Sequence, residues 1–385
     1  MQQAYIIQAK RTAIGKSGKG SLAQVRPDDL GAYVIQDILK NVPALDAQDI
    51  EDCVIGCSFP EGEQGMNVAK IMALRAGLPI DVCGVTVNRF CSSGLQAISM
   101  AADRIRLGEA DVMIGGGIES MSMVPMGGAK PAPNPYVIIN TPEAYISMGI
   151  TAENVAAKYE ITREQQDEFA ASSHKKAWVA QTSGRFNDEI VSVPLPTWGG
   201  PGEKWFNKDE GIRPETTVES LSKLRPVFKA GGSVTAGNSS QTSDGAAMTL
   251  MMSERKTLSL GIKPIAIWRG FAVAGVEPEL MGIGPIKAIP KVLKQVGLTL
   301  DQIDLFELNE AFASQSLAIL KTLEIDPAKV NVNGGAIAFG HPLGCTGAKL
   351  TATLLSEMRK RKLKYGMVTM CIGGGMGAAG VYELL

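Results

Sequence analysis

The stretch Val85-Thr86-Val87-Asn88-Arg89-Phe90-Cys91-Ser92-Ser93-Gly94-Leu95-Gln96 changes its periodicity at its centre. The β-branched run before Asn88 reads as a buried strand. After Cys91, the residues Leu95, Ile98, Ala102 and Ile105 recur at the helical period, so an amphipathic helix follows. Ser92 and Ser93 are residue types that start helices. A cysteine between a strand end and a helix N-terminus meets free backbone N–H groups and the positive end of the dipole, and both favour thiolate over thiol. The competing reading is a buried structural cysteine, a common fate of this residue type. Position alone leaves both open, and partners elsewhere in the chain decide.

At 385 residues the chain is longer than one ordinary core, which predicts two or three domains. Apolar residues at 45% and charged residues at 20% fit a globular protein. A net charge of −1 without a dense basic block argues against nucleic acid as a partner. The run Arg359-Lys360-Arg361-Lys362 ends a helix-like segment, where it complements the dipole and stays solvated. No apolar run approaches the ~18 residues of a membrane span. Residues 1–10 lack the regions of a signal peptide, and Tyr5-Ile6-Ile7 reads as a first strand, so the expected location is cytoplasmic. The six cysteines show no disulfide framework. Cys53 and Cys57 lie in an apolar run without a second Cys/His pair, so no metal site is expected. Gly15-Lys16-Ser17 is not a phosphate loop, because Lys10 stands where its first glycine belongs.

Residues 1–118 alternate strand and helix, which predicts a layered α/β domain around a mostly parallel sheet. Residues 119–242 do not alternate. Met121–Pro142 and Pro194–Pro214 read as loops, and helices are expected from Thr151 and over Glu164–Gln181. His174, in the polar stretch Ser173-His174-Lys175-Lys176, reads as a solvated surface residue. Lys263–Leu385 repeats the opening. Leu45-Asp46-Ala47-Gln48-Asp49-Ile50 resembles Leu300-Asp301-Gln302-Ile303-Asp304-Leu305. Val85–Asn88 matches Val330–Asn333, and Ile114–Gly117 matches Ile372–Gly375. Three matches in one order indicate an internal duplication. The expected domains are 1–118 with 243–262, then 119–242 as an inserted loop domain, then 263–385.

The duplication places His341, in Gly340-His341-Pro342-Leu343-Gly344, near the end of the strand that mirrors the Cys91 strand. With only two histidines in the chain, His341 is the credible base for an activated Cys91 nucleophile. Cys371 follows an apolar strand and precedes Gly373-Gly374-Gly375-Met376-Gly377. Gly375–Gly380 spells G-x-G-x-x-G, but a strand-like end follows instead of a helix, so dinucleotide binding is rejected. These glycines instead let backbone N–H groups approach a substrate oxygen. Asn309, at a strand end, is either a helix cap or a residue that positions a ligand.

The segments Asn88–Gln96, Asn309-Glu310-Ala311-Phe312-Ala313, Gly340–Gly344 and Cys371–Gly377 together resemble the four signature motifs of the thiolase family. The likeness runs end to end and includes Met148–Asn154 and Thr235–Ser240. It implies a five-layered αβαβα fold, built from two βαβαβαββ halves plus a loop domain that binds coenzyme A. By resemblance, Cys91 is the nucleophile that forms an acyl thioester. His341 is the base for Cys91 and for the incoming coenzyme A thiol, and Cys371 is the acid/base at the α-carbon. Asn309 holds a water that forms one oxyanion hole with His341. The N–H groups of Cys91 and Gly373 form the other. Arg213, Ser220, Ser240 and Met148 correspond to the coenzyme A-binding segments.

Ser147 precedes Met148-Gly149 where acetoacetyl-CoA members of the family usually carry His, and Met121–Tyr136 is similar to the degradative branch. The resemblance therefore implies thiolytic cleavage of a 3-ketoacyl-CoA in fatty-acid β-oxidation. The alternatives are condensation of two acetyl-CoA molecules and a non-catalytic coenzyme A- or lipid-binding relative. A thiol redox protein is a further class, disfavoured by the lack of C-x-x-C. Coenzyme A is a co-substrate, and no cofactor is expected. A homodimer or dimer of dimers is implied, with a hydratase/dehydrogenase as a further candidate partner.

Overall fold

The computed structural model describes residues 2–196 and 204–385. The first half runs β1 (Ala4–Thr12), α1 (Pro27–Lys40), β2 (Asp52–Gly56), α2 (Val68–Arg75), β3 (Cys83–Val87), α3 (Ser93–Leu107) and β4 (Val112–Ser120). An insertion follows, with α4 (Met148–Lys158) and α5 (Arg163–Thr182) as its longest helices, and β5 (Ser243–Ser253) closes the half. The second half runs β6 (Ala266–Gly275), α6 (Gly284–Val296), β7 (Leu305–Leu308), α7 (Ala313–Leu323), α8 (Leu343–Arg361), β8 (Tyr365–Ile372) and β9 (Met376–Leu384).

Pairing shows the duplication directly. The first half orders its strands β1-β5-β4-β2-β3, and the second β6-β9-β8-β7, continued by a parallel bridge from Phe306 to Val330. The directions match as well: β2 is parallel to β3 and β4, β7 is parallel to β8, and the pairings nearest the molecular centre are antiparallel. The halves join where β1 meets β6 antiparallel, through Tyr5↔Ile267 and Ile6↔Ala266. Each half is thus mixed rather than mostly parallel. The reason is the link between β8 and β9, a tight hairpin that can only reverse the chain. Its counterpart between β4 and β5 is the whole insertion.

Register also shifts the sequence matches, the glycine match the furthest. Glu51 N–H donates to Val112 O, and Asp304 N–H donates to Tyr365 O, so Val112 corresponds to Tyr365. Gly115–Gly117 therefore lie inside β4, whereas Gly373–Gly375 form the β8–β9 turn. Gly374 and Gly375 have φ of +80° and +83°, conformations that L side chains adopt at a cost.

Five layers result. Helices α1 and α2 cover the outer face of the first sheet, with Leu30, Val34 and Ile38 packed near Ile55, Met72 and Leu250. Helices α3 and α8 fill the middle, where Leu95, Ile98, Leu350 and Leu354 meet Met113 of one sheet and Val368 and Met370 of the other. Helices α6 and α7 cover the far face through Ile289, Val292 and Ile319 against Phe306 and Val381. Every residue of β4 and β5 is buried, as strands covered on both faces require. The middle layer is tight: a Cβ on Gly94 would lie 2.9 Å from Gly344 O, and one on Gly347 would lie 2.4 Å from Leu95 N. Only glycine lets the N-termini of α3 and α8 approach this closely.

The insertion packs on the second half. Helix α4 begins at Met148, earlier than Thr151, whose hydroxyl bonds back to Met148 O. Within the expected loop Pro194–Pro214, Val193–Leu195 and Lys204–Phe206 pair as a short ribbon, and residues 197–203 lie outside the described residues. No helix among the described residues is long and apolar enough to cross a membrane.

Candidate active site

Hydrogen bonds inside the stretch Asn88–Gln96 build the Cys91 turn. Asn88 Oδ1 accepts from Phe90 N–H at 2.8 Å, while its Nδ2 donates to Ser58 O at 2.9 Å. The Ser93 hydroxyl accepts from Arg89 N–H at 2.9 Å and donates to Phe90 O at 2.7 Å. Arg89 Nε reaches Gln96 Oε1 at 2.7 Å. These bonds hold Phe90 at φ +43°, a strained conformation for a non-glycine residue that costs about 1–3 kcal/mol. Cys91 thus stands in a 3-10 turn, Phe90–Ser92, two residues ahead of α3. His341 stands two residues ahead of α8. The thiol and the imidazole occupy equivalent places in the two halves.

At Cys91 burial opposes the helix-end preference for a thiolate. The side chain is 9% exposed, and burial pushes its pKa up to about 11, with Glu119 adding to the rise. The backbone N–H groups of Gly373 and of Cys91 itself act on the sulfur and lower it, but less than burial raises it. Helix-end donors are present, and desolvation outweighs them.

His341 is buried and its tautomer follows from its neighbours. The Thr346 hydroxyl donates to Pro342 O at 3.0 Å, so at 2.6 Å from His341 Nδ1 it accepts the ring proton. Nε2 is left as the basic nitrogen, with Asn309 Nδ2 donating to it at 3.3 Å. Burial, with help from Lys349, lowers the His341 pKa to about 3. Burial thus favours the neutral forms of both Cys91 and His341. Asn309 is no helix cap, because α7 begins at Ala313 with Phe312 before it.

Glu119, at the end of β4, clasps the two halves. Its buried carboxylate accepts from Ser58 N–H at 2.9 Å, from Gly344 N–H at 2.7 Å and from Gln64 Nε2 at 2.8 Å. This carboxylate fixes the His341–Gly344 turn against the first sheet. Leu343 in turn packs on Cys91. Gln241 and Thr242 hold the other side: His341 N–H donates to Gln241 O at 2.9 Å, and Thr242 pairs with His341.

Cys371 ends β8 among Ala152, Val234, Met281 and Phe312, fully buried. Burial first, and then the neighbouring Cys91, push its thiol well above the ordinary cysteine range. Met148 packs on the same cluster, and its sulfur also borders Gly373. Ser240 N–H donates to Ala311 O at 2.9 Å, which docks the Thr235–Ser240 loop on the Asn309–Ala313 segment. Arg213 and Ser220 are exposed on the insertion. The Ser220 hydroxyl closes a helix cap with Thr217 and donates to Thr217 O at 2.8 Å.

His174 is not solvated. It is buried and accepts from Arg213 N–H at 3.1 Å through Nδ1, and burial lowers its pKa to about 4. Helix α5 buries Ala170, Ser173, His174 and Ala177 on one face, a stripe too small and polar to read as a core face. Thr346, Glu119 and Gln315 were also not singled out in the sequence. The buried end of β4 was the one signal for Glu119, as a lone acid closing an apolar strand.

Four separate motifs thus meet: a thiol under the Gly373 N–H, a buried imidazole tethered by Asn309, and a second thiol beside the first. Residues 4–255 match the thiolase N-terminal domain, and residues 262–384 match the thiolase C-terminal domain. The chain is 55% identical to a 3-ketoacyl-CoA thiolase of Bacillus subtilis over 100% of both chains. It is 45% identical to the peroxisomal 3-ketoacyl-CoA thiolase 2 of Arabidopsis thaliana, over 98% of this chain and 83% of that one. Among solved structures, the acetyl-CoA acetyltransferase of Bacillus anthracis superposes with a TM-score of 0.92 at 42% identity, covering 100% of this chain and 99% of that one. Human mitochondrial 3-ketoacyl-CoA thiolase does so with a TM-score of 0.92 at 37% identity and the same coverage. Sequence and fold agree along the whole length, and the chain belongs to the thiolase family.

Proposed function

We propose that this chain is a 3-ketoacyl-CoA thiolase, an acyltransferase that cleaves 3-ketoacyl-CoA with coenzyme A to acetyl-CoA and a shortened acyl-CoA. The carrying observation is the placement of Cys91 and His341 ahead of paired helices, with Gly373 N–H on the Cys91 sulfur. His341 Nε2 takes the Cys91 proton as sulfur attacks the 3-keto carbon. The resulting oxyanion is met by fixed donors, and the Cα–Cβ bond then breaks to release the enolate of acetyl-CoA. The Cys371 thiol protonates that carbon, and the acyl group remains on Cys91. Coenzyme A gives its thiol proton to His341 and attacks the thioester, so turnover is ping-pong. Neutral resting states suit this sequence, because charge appears only when substrate brings its own oxygen to the donors. A water held by Asn309 serves one oxyanion together with His341, and the N–H groups of Cys91 and Gly373 serve the other. Arg213, Ser220, Ser240 and Met148 contact coenzyme A, which acts as a co-substrate without any further cofactor.

A specific resemblance supports a second reading, acetyl-CoA acetyltransfer, since one structural neighbour is an acetyl-CoA acetyltransferase. Ser147 ahead of Met148-Gly149 and the more similar 3-ketoacyl-CoA thiolases favour cleavage of longer chains. A thiolysis series decides it. A medium-chain 3-ketoacyl-CoA should give the higher kcat/KM, and preference for acetoacetyl-CoA would sink the degradative reading.

The working unit in this reading is a homodimer in the cytoplasm. The support is the edge strand β3, unpaired on one side among the described residues and bordered by exposed Met66, Ile71, Leu74, Ile80, Val85 and Met100. An edge with unpaired backbone groups and apolar surroundings is a pairing template, and a second copy fits it. Sedimentation should return twice the chain mass, and a monomer at micromolar concentration would refute it. A dimer of dimers or a bound hydratase/dehydrogenase would appear as a larger species.

A further inference from the structure

Among the described residues, the Cys371 thiol has one side-chain hydrogen-bond partner: its sulfur lies 3.5 Å from Gln315 Oε1. Gln315 sits in the first turns of α7 and is fully buried. Its amide orientation is set by a chain of single-proton donors. The Ser316 hydroxyl gives its one proton to Phe312 O at 3.1 Å. Toward Gln315 that hydroxyl can only accept, so the group 3.0 Å away is the Gln315 amide nitrogen. The amide oxygen therefore faces Cys371. An amide oxygen only accepts, and the sulfur between them must carry the proton.

We propose that Gln315 is a positioning residue for proton transfer at the α-carbon, one that holds Cys371 in its thiol form and fixes the direction of its S–H. The inference rests on the cleavage reading above. In that reaction the Cys371 S–H bond breaks, a C–H bond forms at the enolate carbon, and the bonding pair stays on sulfur as thiolate. The thiolate then faces the lone pairs of Gln315 Oε1, which disfavour it and drive recovery of a proton from the His341 imidazolium. That proton is the one His341 took from Cys91, so the cycle balances. Gln315 touches neither the nucleophile nor the base, and its effect is confined to the carbon-centred proton step.

Two partial reactions separate that step from the rest. Exchange of labelled coenzyme A into acetyl-CoA needs only acyl transfer through Cys91 and His341. Exchange of the acetyl methyl protons with deuterated water needs Cys371 to take a proton from carbon and to return one along the direction that Gln315 fixes. Gln315→Met, close in volume but without the acceptor, should slow methyl-proton exchange and thiolysis by about tenfold or more. It should leave coenzyme A exchange within about twofold. Gln315→Glu, which offers an acceptor oxygen and, when protonated, a donor to Ser316, should recover much of the methyl exchange. Unchanged methyl exchange in Gln315→Met would overturn the proposal. So would an equal loss of both exchanges in both variants, the signature of general disruption. Failure of the wild-type chain to catalyse either exchange would remove the thiolase reading itself and this inference with it.

Discussion

The two halves differ most at one equivalent point. Between β8 and β9 the chain turns through Gly373–Gly375, and between β4 and β5 it leaves at Ser120 and returns at Ser243. Both connections reverse the chain between antiparallel neighbours. The short one sets a backbone N–H against the nucleophile. The long one carries helices and loops that cover the site and reach solvent. Under the proposed function, reaction geometry falls to the connection with no freedom, and recognition to the one with surface to vary.

Each of the following tests bears on that division. Cys91→Ala removes the group that both connections serve, and kcat should fall by about 10⁴-fold or more. Mass spectrometry after mixing with substrate should find no acyl adduct, and a persistent adduct elsewhere on the chain would break the assignment. Gly375→Ala strikes the short turn. A Cβ there would lie 2.4 Å from Val276 O at a positive φ, so the turn must shift and carry the Gly373 N–H with it. We expect kcat to drop by about 10²–10³-fold, as for the loss of one oxyanion donor. An unaffected kcat would mean that the turn does no more than join strands.

The neutral state of the pair has its own test. Below about 11 the Cys91 thiol is protonated, so the thiolate fraction rises about tenfold per pH unit. Alkylation of Cys91 by iodoacetamide should therefore quicken about a hundredfold from pH 7 to pH 9. A flat rate over that range would mean a standing thiolate and restore the helix-end expectation. Thr346→Val leaves His341 Nδ1 without its acceptor and frees the tautomer, and kcat should fall roughly 10- to 100-fold with KM little changed. The smallest effect belongs to the long connection. Ser220→Ala should raise the KM for coenzyme A by a few-fold with kcat intact, the pattern of lost uniform binding. A fall in kcat instead would move the insertion into the reaction geometry.

Much of this is legible in the amino-acid sequence. The strand-to-helix change around Cys91 and the duplication that pairs it with His341 are patterns of period and order, and periods survive in sequence. What stayed hidden depends on three-dimensional neighbours. Burial of Cys91, which opposes its helix-end preference for a thiolate, comes from Leu343 and Met121, distant in the chain. The tautomer of His341 depends on where the Thr346 hydroxyl sends its proton. His174 misled because the neighbouring Lys175 is exposed while small residues on the same helix pack inward. The third glycine match misled because identical letters fell at different depths of equivalent strands.

The ladder between β1 and β6 sets the terms on which the halves associate. Antiparallel pairing of equivalent strands is the geometry of an isologous contact, the kind two identical subunits make about a two-fold axis. Here the two sides belong to one chain. Their stoichiometry is fixed and their effective concentration is set by a linker, whatever the amount of protein. Two free subunits held by the same contact would have to remain alike in order to find each other. Covalently joined halves need not, and one can keep a thiol where the other keeps an imidazole.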